Sequence, residues 1–306
     1  VENFLRILNL YKDLSLFLGH KSMGSNPVAE KKKRMGVVIL HWRDAKMTQR
    51  CLNAVQKQNW PLSVAVVAPD KLPPLRGSFR PVVVPRNLGY GAGMNQGARV
   101  VADGVATYLF LNNDVILFPG ACRILAAAFA ADRRLGAAGI VLRERRGKSW
   151  QHVYGGGLLR RWIGKAELFC YPAAATDLDY VHGACVAIRA AAFEEVGGWR
   201  ENLFLYGEDL WMGIALRKRK WKLGVVRAYG VHLHCAENLA AKEKIYYLVR
   251  NVFWVARTTN PSSSRLILLM TSGGRLVWHR LSGKEEVWRG LWDGWRGELG
   301  RCKHFR

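Results

Sequence analysis

The chain is short of acid. Its 306 residues carry 23 Asp and Glu against 47 Lys and Arg, a formal net charge of +24. Such an excess favours an anionic partner, whether nucleic acid, anionic lipid or a phosphorylated substrate, and does not choose among them. Six cysteines, Cys51, Cys122, Cys170, Cys185, Cys235 and Cys302, are scattered, and no C-x-x-C pair occurs. That spacing argues against a zinc ribbon or a redox motif. Cys122 and Cys185 sit in apolar runs, as buried thiols in a reducing cytoplasm would. No run approaches the length of about 20 apolar residues that a membrane-spanning helix needs. The first 20 residues mix acids and polar residues into their apolar pattern, unlike a secretory signal. No internal repeat is visible.

What is present alternates. Phe4, Leu5, Leu8, Tyr11 and the run Leu14–Leu18 have helical spacing, and a basic linker follows. Residues 1–34 are therefore expected to form an N-terminal helix and linker. Val37–Leu40, Val64–Val67, Val82–Val84 and Tyr108–Leu111 read as buried strands, with helices expected over 46–58 and 89–103. This alternation predicts an α/β fold with a parallel sheet. Further on, Arg123–Ala131, Ala190–Val196 and Leu210–Lys220 read as helices, Val181–Arg189 as one strand, and Gly224–Val226 and Gly230–Val231 as strand pieces. From Asn260 the pattern becomes rich in Leu, Trp and Arg. Basic amphipathic helices are expected there, packed on the domain or lying on a membrane surface.

Four places could carry chemistry. Arg86–Gly97 is a glycine loop opening a helix, where backbone N–H groups suit a diphosphate. Gly89, Gly91 and an acid after the next strand mimic a dinucleotide fingerprint, but Met94 replaces the third glycine. The bland reading is a tight turn under a close-packed helix. Asn112-Asn113-Asp114 ends a strand. Alone it reads as a turn, yet a hard cation on a diphosphate needs only one or two protein oxygens. Glu208-Asp209 opens a helix, where acids favour the dipole or one of them acts as a general base. His232 and His234 alternate onto one face of a strand, as two core histidines or as a ligand pair.

In order and spacing these pieces resemble the family 2 glycosyltransferases, in particular their rhamnosyltransferase-like branch. The matching texts are VVILHW, QRCLNAVQKQNWP, RNLGYGAGMNQGAR, YLFLNNDV, GACVAIRAAAFEEVGGW, FLYGEDLWMGIALRKRKWKL, VHLH, IYYLVRN and GLWDGWRGELGR. The resemblance covers roughly residues 35–300. It implies a GT-A fold over 35–258, with a basic amphipathic extension over 259–306. It also implies metal-dependent, inverting transfer of a rhamnose-like or other hexose from a nucleotide-diphosphate sugar, in bacterial cell-surface glycan synthesis.

Carried over by position, Asp209 matches the catalytic base, with Glu208 in support. Asp114 matches the ligand of Mg²⁺ or Mn²⁺, joined by His232 or alternatively His234. His41, Trp42, Asp70, Arg86, Asn87, Gly89, Asn95, Asn112 and Asn113 fall around the nucleotide sugar. The implied partners are the donor, a glycan or polyprenyl-diphosphate-linked acceptor, and an anionic membrane surface. No specific nucleic acid is expected, an oligomer is compatible, and the place is the inner face of the cell membrane. Three positions depart from the family pattern: Asp70 is displaced from the end of the second strand, Arg200 replaces an aspartate, and Trp211 replaces an acid. Arg200 and Trp211 keep an inactive relative as an alternative. The charge keeps a nucleic-acid binder as another, and the glycine loop an NAD-dependent enzyme.

Overall fold

The computed structural model describes residues 34–146, 149–160, 165–169, 178–233, 241–259 and 285–305. The expected N-terminal helix and linker, residues 260–284 and His234 lie outside them.

The first half is the expected alternation. β1 (Arg34–Leu40) carries the first apolar run, and α1 (Ala45–Gln56) follows. Asp44 caps α1 by accepting the Met47 amide at 3.0 Å. Met47, Cys51, Leu52 and Val55 form its buried stripe. β2 (Leu62–Pro69), β3 (Arg80–Val84), α2 (Tyr90–Val101) and β4 (Val105–Asn112) complete a parallel unit in spatial order β3-β2-β1-β4. The pleat sorts the core onto two faces. Val38, Tyr108 and Phe110 pack with α2, while Val37, Ile39, Leu109 and Leu111 pack with α1. Each such side chain, once buried, contributes about 1.5–3 kcal/mol.

The second half turns the sheet mixed. It contributes β5 (Val115–Leu117), α3 (Ala121–Ala131), β6 (Leu135–Arg146), β7 (Ser149–Tyr154), β8 (Gly156–Arg160), β9 (Lys165–Phe169), β10 (Tyr180–Val181), β11 (Cys185–Arg189), α4 (Ala190–Val196), α5 (Glu208–Lys218) and β12 (Lys222–His232). The order continues β4-β11-β6-β12-β5, with β7 beside β6. β11 runs antiparallel to β4 and β6, β12 parallel to β6, and β5 antiparallel to β12. β10, β8 and β9 form a small antiparallel sheet. The helices α6 (Ala241–Thr259) and α7 (Glu285–Arg296) follow.

Two expectations change. The strand read over Val181–Arg189 is broken by a turn at His182-Gly183-Ala184, which sends β10 and β11 into different sheets. The two pieces read at Gly224–Val226 and Gly230–Val231 are one strand, β12, with a register irregularity between Val226 and Tyr229.

α2 lies close on the sheet at Gly97, where a Cβ would come 2.9 Å from Val67 Cγ2 and 2.3 Å from Val38 Cγ1. Both valines are β-branched strand residues with little freedom to turn aside. Gly97→Ala is therefore expected to lower stability by about 1–3 kcal/mol, outweighing the better helix propensity of alanine. Thermal unfolding of the two proteins measures it, and a higher Tm in the variant contradicts the packing.

Candidate active site

The carboxyl ends of β1 and β4 point to one edge of the sheet, where open α/β sheets bind ligands. Asp114 stands there, between β4 and β5. Its backbone carbonyl accepts the Leu233 amide at 3.0 Å, and Val115 pairs with His232 across β5 and β12. Asp114 Oδ1 lies 3.3 Å from His232 Nε2, and His232 Nδ1 lies 3.2 Å from Glu144 Oε1. All three side chains are buried. The Nε2–Oδ1 approach is an ion-pair distance without hydrogen-bond alignment, so Oδ1 is a buried oxygen with no hydrogen bond in the protein. Burial alone would pull the His232 imidazole down. The carboxylates of Asp114 and Glu144 on its two nitrogens outweigh burial and hold it up at about 9.

Asp114 Oδ1 is thus a buried carboxylate oxygen whose near neighbour is the His232 imidazolium. A cation here would take Oδ1 and would have to displace the Nε2 proton, while Glu144 keeps its hold on Nδ1. Among the described residues no group of three or more His, Cys, Asp or Glu could hold an ion. Asp114 and His232 would therefore leave most of a cation's coordination to groups outside the chain, as a diphosphate and water could supply.

The second cluster opens α5. Gly207 caps the helix at φ 82°, and Glu208 and Asp209 follow. Asp209 Oδ2 accepts the Gly183 amide at 3.1 Å, and Oδ1 accepts the Leu210 amide at 2.8 Å. Glu208 is buried, and its Oε2 has no hydrogen-bond partner in the protein. Burial first, and the neighbouring Asp209 carboxylate second, push the Glu208 carboxyl up to about 8. Burial also raises Asp209, against the amides that stabilise its charge. Both shifts run the same way: burial disfavours the charged form of each carboxyl, which makes each a stronger base than an ordinary one.

The broken strand links the two clusters. Gly183 O accepts the Tyr90 hydroxyl at 2.6 Å, Ala184 O accepts the Asn112 amide at 3.0 Å, and the Ala184 amide donates to His182 Nδ1 at 3.1 Å. The His182 ring stands 6.2 Å from that of His232. Tyr90, Glu144, His182 and Gly183 were not singled out from sequence. Their signals were faint: one acid in the basic run Arg143–Arg146, one histidine ahead of a glycine in an apolar run, one tyrosine inside the glycine loop.

The remaining expected residues divide. Asn113 donates to Trp42 O at 3.1 Å and to Thr48 Oγ1 at 2.9 Å, tying the strand tips together. Thr48 gives its proton to Asp44 O, so His41 Nδ1, 2.6 Å away, donates to Thr48 and its Nε2 is left as an acceptor. Burial holds His41 below the ordinary imidazole value, against Asp44. Asn95 holds the loop below α4, exchanging bonds of 2.9 Å with Trp199 O and N. The Gly89 amide donates to Asn87 Oδ1 at 2.9 Å and the Tyr90 amide to Phe204 O at 2.7 Å. Two amides at the N-terminus of α2, those of Gly89 and Tyr90, are thus taken by protein oxygens. Arg86 and Asp70 are exposed, Asp70 at φ 60°. Asn112 is half-buried and contributes backbone bonds to Ala184 and Cys51. The departures Arg200 and Trp211 meet each other: the guanidinium lies 5.7 Å from the Trp211 ring and 5.3 Å from Trp254. They border a groove of about 640 Å³ that none of Asp114, His232, Glu208 and Asp209 lines.

A model of the glycosyl transferase family group 2 matches residues 109–282, over half of the chain. The chain belongs to this family. The family match begins in β4, just before Asp114, and takes in Glu144, the Gly183 turn, Glu208, Asp209 and His232. An N-acetylglucosaminyl-diphospho-decaprenol L-rhamnosyltransferase of Mycobacterium tuberculosis is 26% identical over 197 residues, 53% of this chain and 63% of that protein. An orotidine 5'-phosphate decarboxylase of Halorubrum lacusprofundi is 27% identical over 129 residues, 37% of this chain and 46% of that protein. The family 2 chain thus spans about half to three fifths of these relatives. In fold it resembles TarS of S. aureus (TM-score 0.51, 14% identity, 78% of this chain and 42% of that one). It also resembles the mannosyltransferase PcManGT of Pyrobaculum calidifontis, solved with GDP-Man and Mn²⁺ (TM-score 0.51, 13% identity, 94% of this chain and 91% of that one). The mostly parallel sheet flanked by helices is the GT-A fold of these neighbours.

The buried Glu208 of this family 2 protein makes its stability depend on pH. Its carboxyl titrates at about 8 in the folded chain, well above the ordinary value of 4.5. Between those values the unfolded chain binds fewer protons, so this group's contribution to stability falls as pH rises through the window and levels off above about 8. Glu208→Gln removes that slope. The Tm of the variant relative to wild type is expected to rise between pH 5 and about 8.5, read by calorimetry at matched ionic strength. A difference that does not change with pH contradicts the buried titration.

Proposed function

We propose that this family member is a metal-dependent inverting glycosyltransferase acting at a membrane surface. Its donor is a nucleoside-diphosphate sugar carrying a rhamnose-like or other hexose. Its acceptor is a glycan or a polyprenyl-diphosphate-linked sugar of bacterial cell-surface glycan synthesis. The observation that carries the reading is the Gly183 turn. It joins Asp209 to the end of β4, from which Asp114 follows, and this supports a base and a cation site at one edge of the sheet.

Asp114 and His232 would hold Mg²⁺ or Mn²⁺, which would neutralise the negative charge on the departing diphosphate. Glu144 fixes the orientation of His232. Asp209 takes the proton of the acceptor hydroxyl as its oxygen attacks the anomeric carbon. The bond from that carbon to the diphosphate oxygen breaks with its electron pair, and the configuration inverts in a single displacement. Glu208, protonated at neutral pH, keeps the charge on its neighbour. No protein nucleophile takes part, and the four described cysteines are buried.

For this pair of roles the test is a transfer assay over a panel of nucleoside-diphosphate sugars with Mn²⁺. Asp209→Asn should lower turnover by about 10²–10⁴-fold while a nucleoside diphosphate with Mn²⁺ still raises its Tm. Asp114→Ala should lose the Mn²⁺-dependent part of that rise. Full transfer by both variants overturns the reading.

The membrane part is supported by α7. Gly290 and Gly294 face α6, where a Cβ would come 2.9 Å from Tyr246 O and 2.7 Å from Arg250 O. This close packing turns Trp288, Trp292 and Trp295 outward, 41%, 57% and 56% exposed. Arg289 and Arg296 lie on the same helix, and the Trp292 and Trp295 rings stack at 5.3 Å. Exposed indoles beside arginines on a strongly basic chain suit an anionic headgroup layer. No helix among the described residues is long and apolar enough to cross a membrane. Changing Trp292 and Trp295 together to Ala should weaken binding to phosphatidylglycerol-containing vesicles by about tenfold or more. Unchanged sedimentation with the vesicles contradicts the role.

A further inference from the structure

The loop that leads into Asp209 is strained, and another helix holds it. Phe204 has φ 66° and ψ −61°, and the Leu205 amide bonds to Leu203 O at 2.8 Å. That is a γ-turn of the strained hand. Tyr206 follows at φ 66° and Gly207 at φ 82°. Positive φ at a non-glycine residue is strained, so two such residues in four persist only if the surroundings hold them.

The surroundings take every carbonyl of the loop. Leu203 O receives Arg250 Nη2 and Asn251 Nδ2, each at 2.8 Å. Phe204 O receives the Tyr90 amide. Leu205 O and Tyr206 O receive the same Asn251 Nδ2, at 2.8 and 2.7 Å. One amide nitrogen thus spans three carbonyls with its two hydrogens. It is aimed by Arg250, whose Nε donates to Asn251 Oδ1 at 2.8 Å. Arg250 is fixed in turn by Gly300 O at 2.7 Å from Nη1 and by the Tyr246 and Tyr247 rings at 5.4 and 4.9 Å. Arg250 is 1% exposed and Asn251 fully buried.

We infer that Arg250 and Asn251 are positioning residues for the base. They hold Leu203–Tyr206 in the one path that starts α5 at Glu208 and presents the Asp209 carboxylate to the Gly183 amide. The inference rests on the reading of Asp209 as the base, and it adds two residues of α6 that need touch neither donor nor acceptor.

The test uses the full chain with Asn251→Leu, which keeps the size and removes the donor, and Asn251→Ser, which keeps a smaller donor should the first variant fail to fold. Hydrogen–deuterium exchange of amides 204–210 should quicken by about tenfold or more, while β1 and β4 keep their protection. In transfer assays kcat should fall by about tenfold or more with donor KM within about twofold, and the acidic limb of the pH profile should move. Arg250→Lys should show a smaller loss of the same kind. Unchanged exchange at 204–210 overturns the proposal, and so does faster exchange with a wild-type kcat and pH profile. If the wild type transfers no sugar from any donor in the panel, the reading of Asp209 as base fails and the positioning role with it. The exchange data then still decide whether the clamp holds the loop.

Discussion

The backbone of Gly183 is the contact on which the candidate site depends. Its N–H holds Asp209 and its C=O holds Tyr90, while the adjoining Ala184 carbonyl is bonded to the end of β4. One residue therefore connects the start of α5, the glycine loop and, through its neighbour, the sheet edge that bears Asp114. Its N–H lies in the 182–183 peptide and its C=O in the 183–184 peptide, so two successive rigid planes have their polar groups committed here. That commitment explains why the strand read over Val181–Arg189 has to break. Residues engaged sideways with Asp209 and Tyr90 cannot continue a ladder.

The electrostatics of the molecule run against its composition. The chain is strongly basic, yet its candidate chemistry is assembled from carboxylates: buried Asp114, Glu144 and Glu208, and half-buried Asp209. A basic exterior draws anionic substrates toward the surface. Burial raises the carboxyls of both Glu208 and Asp209.

Much of the architecture was legible because it rests on local pattern. Buried strands such as Val37–Leu40 and the Met47–Val55 stripe announce themselves in the residues. So did the residues at the strand tips and the helix start, once their order was compared with a family. What stayed hidden is what depends on tertiary contact. Sequence does not show that the Phe204 carbonyl lies against the glycine loop. That Asn95 holds Trp199 and Asn113 holds Thr48 could not be read from their neighbours in the chain either. Glu144 meets His232 across 88 residues, and nothing local marks it. Arg200 and Trp211 read as two separate departures, although they form one contact.

The bond from Arg250 to Gly300 O closes over 50 residues. The path of Leu203–Tyr206 is thus set by segments far apart in the chain, not by its own residues. The entropy of closing that span has to be overcome before the contact can form.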